Sequence, residues 1–195
     1  MARKANPKKT PAKTSADRLI DAALTLAAEK PWSRVDMAEI AAAAGLSLAE
    51  AYDAFPCRAA LMRALVARHD RAMLADEDPA LAEESRRDRL FDVIMRRLEA
   101  MRPHKAALRS MAMGASTDPG ALLALGPCLM TSVGWMLRAA GAGAEGPLGF
   151  VRQHALALVY IAAVRAFFQD EADDLSSTMA ALDKALKRAG RALGA

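Results

Sequence analysis

Three histidines and two cysteines are the residues of this 195-residue chain whose types could start covalent or metal chemistry. His69, His104 and His154 lie far apart in sequence, without the close spacing that gathers zinc ligands. Cys57 and Cys128 have no Cys-x-x-Cys partner or histidine neighbour, so neither a disulfide framework nor a metal site is indicated. Cys57 reads as a small buried residue rather than a nucleophile. No Gly-x-Ser-x-Gly elbow and no glycine-rich phosphate loop occurs. The expectation is a protein that is not an enzyme, with no cofactor and no metal.

What remains is binding chemistry. The formal charge is +4, and its placement matters more than its size. Residues 1–18 hold Arg3, Lys4, Lys8, Lys9, Lys13 and Arg18 against Asp17, a local +5 that leaves the rest of the chain at −1. Residues 1–14 read as a disordered basic arm that lies along nucleic acid or an anionic membrane, or only solubilises the chain. The arm has no apolar core and is no secretory signal. No apolar run is expected to reach the roughly 18 residues that span a bilayer. Arg165 breaks the most apolar stretch, 155–168. A cytoplasmic protein is expected.

The elements that position these residues are helical. Apolar residues make up 53% and aromatics 5%, and alanine and leucine dominate, a mix that favours helices over strands. The first helix spans 15–29 and ends at Lys30-Pro31. Asp36 with Glu39, then Ser47 with Glu50, form two capping boxes that open a second and a third short helix. Gly45 permits the turn between them. Ala51, Tyr52 and Phe55 are expected to pack back on the first two helices. Further helices are expected over 58–74, 83–101, 104–113, 119–140, 147–170 and 173–193, with an acidic connection at 75–84. Pro127 should kink or split its helix, and 141–146 should be a flexible loop. The helix over 147–170 is apolar nearly all round and needs cover on both sides. Leu175, Met179, Leu182, Leu186, Ala189 and Leu193 form a seam for a partner helix.

Residues 18–62 resemble the TetR/AcrR regulator family. The matching residues are Ile20-Asp21-Ala22-Ala23, Leu26-Ala27-Ala28-Glu29, Ile40-Ala41, Ala44-Gly45-Leu46-Ser47, Tyr52, Phe55-Pro56 and Leu61. The resemblance implies an all-α, TetR-type fold of about nine helices. A three-helix helix-turn-helix module over 15–57 would precede a larger ligand-binding and dimerisation domain over 58–195. It also implies DNA reading by the module, an inducer site in the body, and a homodimer built on the last two helices. The second half is similar to the accessory lipid-binding family of ubiquinone biosynthesis. The matching residues there are Ala157-Leu158-Val159-Tyr160, Phe168-Gln169-Asp170, Asp174-Leu175, Thr178, Leu182 and Leu186. That likeness implies a lipid or isoprenoid ligand and a peripheral membrane contact, in the same fold with weakened DNA reading.

The local charge speaks against strong DNA reading. Residues 19–58 carry three bases against six acids, although affinity for DNA rests on neutralising phosphates. The third helix has Glu50 and Asp53 and no bidentate donor for a base edge. Candidate DNA contacts are Arg34, Ser47, Leu48, Tyr52 and Arg58, with Lys8, Lys9 and Lys13 from the arm. Tyr52 serves equally well as packing. Candidate ligand contacts are Phe91, Met95, Met111, Met130 and Trp135, because methionine adapts to irregular apolar guests, with Arg109 as a polar contact. Val159, Phe167, Leu175, Met179, Leu182 and Leu186 are the candidate dimer interface. The expected function is a dimeric one-component transcription regulator controlled by an apolar effector; the alternative is the lipid-binding accessory role.

Overall fold

A computed structural model describes residues 13–75 and 83–194. Lys8, Lys9 and most of the acidic connection, Pro79 included, lie outside the described residues.

Helix α1 (Ser15–Glu29) starts where Thr14 and Asp17 bond each other's backbone N–H groups, a capping box that satisfies donors with no intrahelical partner. Its face Leu19, Ile20, Ala23, Leu24 and Ala27 is buried. A 3-10 turn, Trp32–Arg34, follows and buries Trp32. Helices α2 (Met37–Ala44) and α3 (Leu48–Ala54) open on the Asp36–Glu39 and Ser47–Glu50 boxes. Gly45 joins them at φ +64°, a left-handed conformation that suits glycine. The Arg18 side chain donates to the Ala44 and Gly45 carbonyls at 2.6 and 3.2 Å. It thereby closes the C-terminal end of α2, a contact that no local pattern announces.

Helix α4 (Arg58–Ala75) leads out of this module and buries Leu61, Leu65, His69 and Met73; Val66 is only half-buried. The body continues with α5 (Arg86–Met101), α6 (Lys105–Ser116), α7 (Pro119–Ala139), α8 (Gly146–Gln169) and α9 (Ser176–Leu193). One apolar core runs from Leu19 of α1 to Leu193 of α9. The Trp32 N–H donates to Ser110 Oγ at 3.0 Å, and that hydroxyl donates to the Lys30 carbonyl at 3.3 Å, tying the module to α6.

Several expectations change. Helix α5 starts at Arg86, behind the cap Ser85, and α9 starts at Ser176, where Asp170 orders the turn. The Asp170 carboxylate accepts from the Thr178 hydroxyl and N–H, both at 2.7 Å, and from the Ala172 N–H. These bonds, the Thr178 hydroxyl first, hold its carboxyl below the usual range. Pro127 does not split α7, which runs on through it. The 141–146 loop buries Ala142 and Ala144, and Gly149 gives it room: a Cβ there would meet the Ala144 carbonyl at 2.3 Å. Cys57 is exposed, not buried.

The α9 seam faces inward. Leu175, Leu182, Leu186 and Leu193 are buried within the chain, as are Val159 and Phe167 of α8, and Met179 is half-buried. Helix α9 lays its apolar stripe chiefly against α8 of its own chain, so Val159, Phe167, Leu175, Leu182 and Leu186 belong to the chain's own core. The apolar residues left outside on α8 are Leu148, Phe150, Val151 and Leu158.

The chain also holds more span-length apolar helix than its sequence suggests at first reading. Between Asp118 and Arg138, α7 carries no charge, and α7 and α8 are both long and apolar enough to cross a membrane by length and composition. The second half of α7 is core, with Ser132, Val133, Met136 and Leu137 buried.

Candidate functional site

The outward face of α3 is the first candidate. Its inward side is set by Ala51, which is buried, and by Phe55 at its end. Leu48 and Tyr52 are then one turn apart on the other side, 63% and 67% exposed. Tyr52 is therefore not packing on the module; it is presented to solvent. Ser47 and Glu50 are exposed but engaged with each other, Ser47 Oγ to Glu50 at 2.7 Å. The Ser47 N–H and hydroxyl hold the Glu50 carboxyl below its ordinary pKa range. Glu50 is thus a committed cap, and Asp53 is the remaining acid of this face.

The proposed basic contacts divide. Arg34 is exposed on the 3-10 turn beside the module. Lys13 pairs with Asp21, which also binds Arg68 Nη1 at 2.7 Å. Burial opposes ionisation of Asp21, but those two cations outweigh it and lower its pKa. Arg58 does not reach outward. Its guanidinium donates to the Trp32 and Val35 carbonyls at 2.9 and 2.7 Å and stands over the Trp32 ring at 5.4 Å. It clamps the 3-10 turn to the start of α4, a role hidden in sequence because its partners are backbone carbonyls more than twenty residues earlier. Arg58→Ala is expected to cost about 1.5–3 kcal/mol of stability, the range for hydrogen bonds to a charged group. The slope of log K against log salt for any DNA binding should stay unchanged. Urea unfolding and a salt titration check the two halves of that statement.

The proposed ligand contacts are not gathered at one place. Met95 and Met111 are buried in the core, whereas Phe91 and Met130 are half-buried beside it. Trp135 is 46% exposed, with Arg138 over its ring. Arg109 is exposed on α6. It edges an open groove with Arg102, Lys105 and the 168–173 turn.

What the sequence reading missed is a polar cluster in the middle of the body. Arg97 of α5 is 4% exposed and is paired with Asp70 of α4. The other Asp70 oxygen accepts from Ser132 Oγ of α7 at 2.8 Å. Arg97 Nε donates to the Tyr160 hydroxyl of α8 at 2.8 Å, and Tyr160 donates to Met101 Sδ at 3.7 Å. His69, next along α4, is buried and has its pKa pushed down to about 4. Burial is the main cause, followed by the charges of Arg97 and His104. Four helices meet on these groups. The helical spacing of Leu90, Ile94 and Leu98 placed Arg97 on the same stripe; a charge inside an apolar stripe was the available signal.

A short helix pair bent at a left-handed glycine, propped on a first helix and continued into a helical body, is a helix-turn-helix arrangement. Residues 19–65 match the family described as bacterial regulatory proteins, tetR family. A TetR transcriptional regulator from Nitrosomonas europaea ATCC 19718 superposes with a TM-score of 0.75 at 24% identity, covering 90% of this chain and 98% of its own. A TetR transcriptional regulator from Rhodococcus sp. RHA1 does so with a TM-score of 0.66 at 22% identity, covering 89% and 94%. No curated protein matches the chain. Residues 19–65 are thus similar to the tetR-family module, and the chain as a whole shares the fold of those two regulators.

Proposed function

We propose that this chain is a dimeric one-component transcription regulator whose helix-turn-helix module docks on DNA under the control of an apolar effector. The observation that carries this reading is the outward face of α3. Leu48 and Tyr52 stand exposed there on a short helix held from behind by Ala51 and by its Ser47–Glu50 box. A helix so placed enters a major groove, where an aliphatic side chain meets a thymine methyl and a phenol reaches a phosphate. Lys8 and Lys9 supply cations that the module body lacks, beside Arg34 of the 3-10 turn and Lys13, which Asp21 holds against the module. The twin docks on the outer stripe of α8, through Leu148, Val151 and Leu158, because the α9 seam is already closed.

A second reading keeps the fold without DNA reading, as a lipid-binding accessory protein of the ubiquinone-biosynthesis type that touches a membrane surface. The absence of any base on α3 and the exposed apolar residues of α7 and α8 favour it.

Titration with the DNA upstream of its own gene across a salt series separates the two. A regulator gives sequence-preferring binding that weakens steeply with salt and falls when residues 1–12 are removed. Binding that ignores sequence, together with flotation on anionic vesicles, would establish the second reading. Leu158→Glu is expected to turn a dimer into a monomer in sedimentation velocity; a dimer that survives it places the twin elsewhere.

A further inference from the structure

The geometry points to a binding site for a neutral one- or two-ring molecule in the seam between module and body. The groove there has a volume of about 380 Å³, within the range of small-ligand pockets. One wall belongs to the module end: Trp32 and Ser33 of the 3-10 turn, then Cys57, Ala59 and Met62 at the start of α4. The other belongs to the body: Gly114 and Ala115 at the end of α6, then Ala121 and Leu125 of α7.

Charge complementarity selects the ligand. Two charged residues line the groove, and both are committed. Arg58 bonds the Trp32 and Val35 carbonyls, and Asp118 accepts from the Gly120 and Ala121 N–H groups at the start of α7. The two charges are of opposite sign and are tied to the backbone of the walls, so the groove as a whole favours neither an anion nor a cation. The rest of the lining is an indole, two sulfur-bearing side chains, small aliphatic groups and the Ser33 and Thr117 hydroxyls, which suit a flat, polarisable, uncharged guest.

The roof can move to admit it. No side chain of α7 between Pro119 and Thr131 is buried. Pro127 leaves the Leu123 carbonyl without its helical partner, and beside Gly126 there is open space. The second half of α7 stays anchored through Val133, Met136 and Leu137. A guest in this groove bears on Trp32 and the first turn of α4 together. Its effect on the module rests on the regulator reading above, whereas its binding does not.

The test uses the full chain carrying Trp135→Phe, which leaves Trp32 as the lone tryptophan, and the neutral two-ring dye N-phenyl-1-naphthylamine. Dye titration is expected to quench Trp32 emission saturably. Ala121→Phe, at a half-exposed groove position, should weaken the dye about tenfold, the scale on which a small change of shape alters binding in an apolar pocket. Ser33→Tyr, at the exposed rim, should weaken it similarly, so a folding defect in one variant does not decide the matter. Phe150→Ser, at an exposed apolar position of α8, should leave it unchanged. Equal dye affinity in the filled and open chains, or quenching abolished by the Phe150 change, overturns the site. Dye bound in the groove by a chain that ignores its upstream DNA would instead overturn the regulator reading and leave the site standing.

Discussion

Asp70→Ala is expected to lower the stability of this protein by about 3–5 kcal/mol, the cost of leaving one member of a buried ion pair alone. Arg97 is the member left behind. Its side chain is 5% exposed, with the guanidinium bonded to groups of α4 and α8, so water cannot replace the carboxylate. Ser132 loses its acceptor at the same time. For a chain of this length the change corresponds to a fall in Tm of roughly 10 °C, read by circular dichroism at 222 nm. Ser132→Ala should cost only about 1 kcal/mol, as one hydrogen bond to a group that keeps its main partner. The double change Asp70→Leu with Arg97→Met should recover much of the loss, because an apolar pair of similar volume replaces a buried ion pair with little penalty. A double variant as unstable as Asp70→Ala would mean that the pair is not the source of the effect. The cluster joins the helix that leaves the module to three helices of the body, so its loss should also loosen the module on the body.

A second large effect is a loss of stability with acid, set by His69. The ring is neutral in the folded protein, with its pKa pushed down to about 4 by burial and by Arg97 and His104; the Leu65 carbonyl opposes this weakly. In the unfolded chain it titrates near 6.5. The unfolded state therefore binds the extra proton between those values, and stability falls as pH drops through that window. The contribution is fully present above pH 6.5 and gone below about 4; its size is about 3 kcal/mol at 1.4 kcal/mol per pH unit. Asp21, Asp170 and Asp183 have lowered pKa values and lose their contributions at more acid pH. The interval from pH 6.5 to 5 thus isolates the histidine. Urea unfolding at pH 7, 6 and 5 should show the decline in the native chain and a nearly flat profile in His69→Gln. A decline of equal slope in both would assign it to other groups.

Much of the fold was legible because its signals are local. Capping boxes, a glycine at a left-handed turn and a proline after Lys30 act within four residues, which is why α1, α2 and α3 fall where the spacing put them. The outward face of α3 was legible only in part. Tyr52 and Ala51 are neighbours in sequence, and the choice of which points inward belongs to the helix behind them.

The sequence by itself determined the helices of the module, the helical class of the body and the placement of positive charge in the arm. Tertiary structure alone decided the partners of the long side chains. Arg18 caps α2, Arg58 clamps a 3-10 turn, and Arg97 enters the core against Asp70 and Tyr160. It also decided that the α9 seam closes on α8 of the same chain. The physical reason is reach. A cap or a turn is set by backbone groups a few residues away, whereas a guanidinium bonds whatever carbonyl or carboxylate folding brings beside it, and an apolar stripe does not encode whether its cover comes from its own chain or from another.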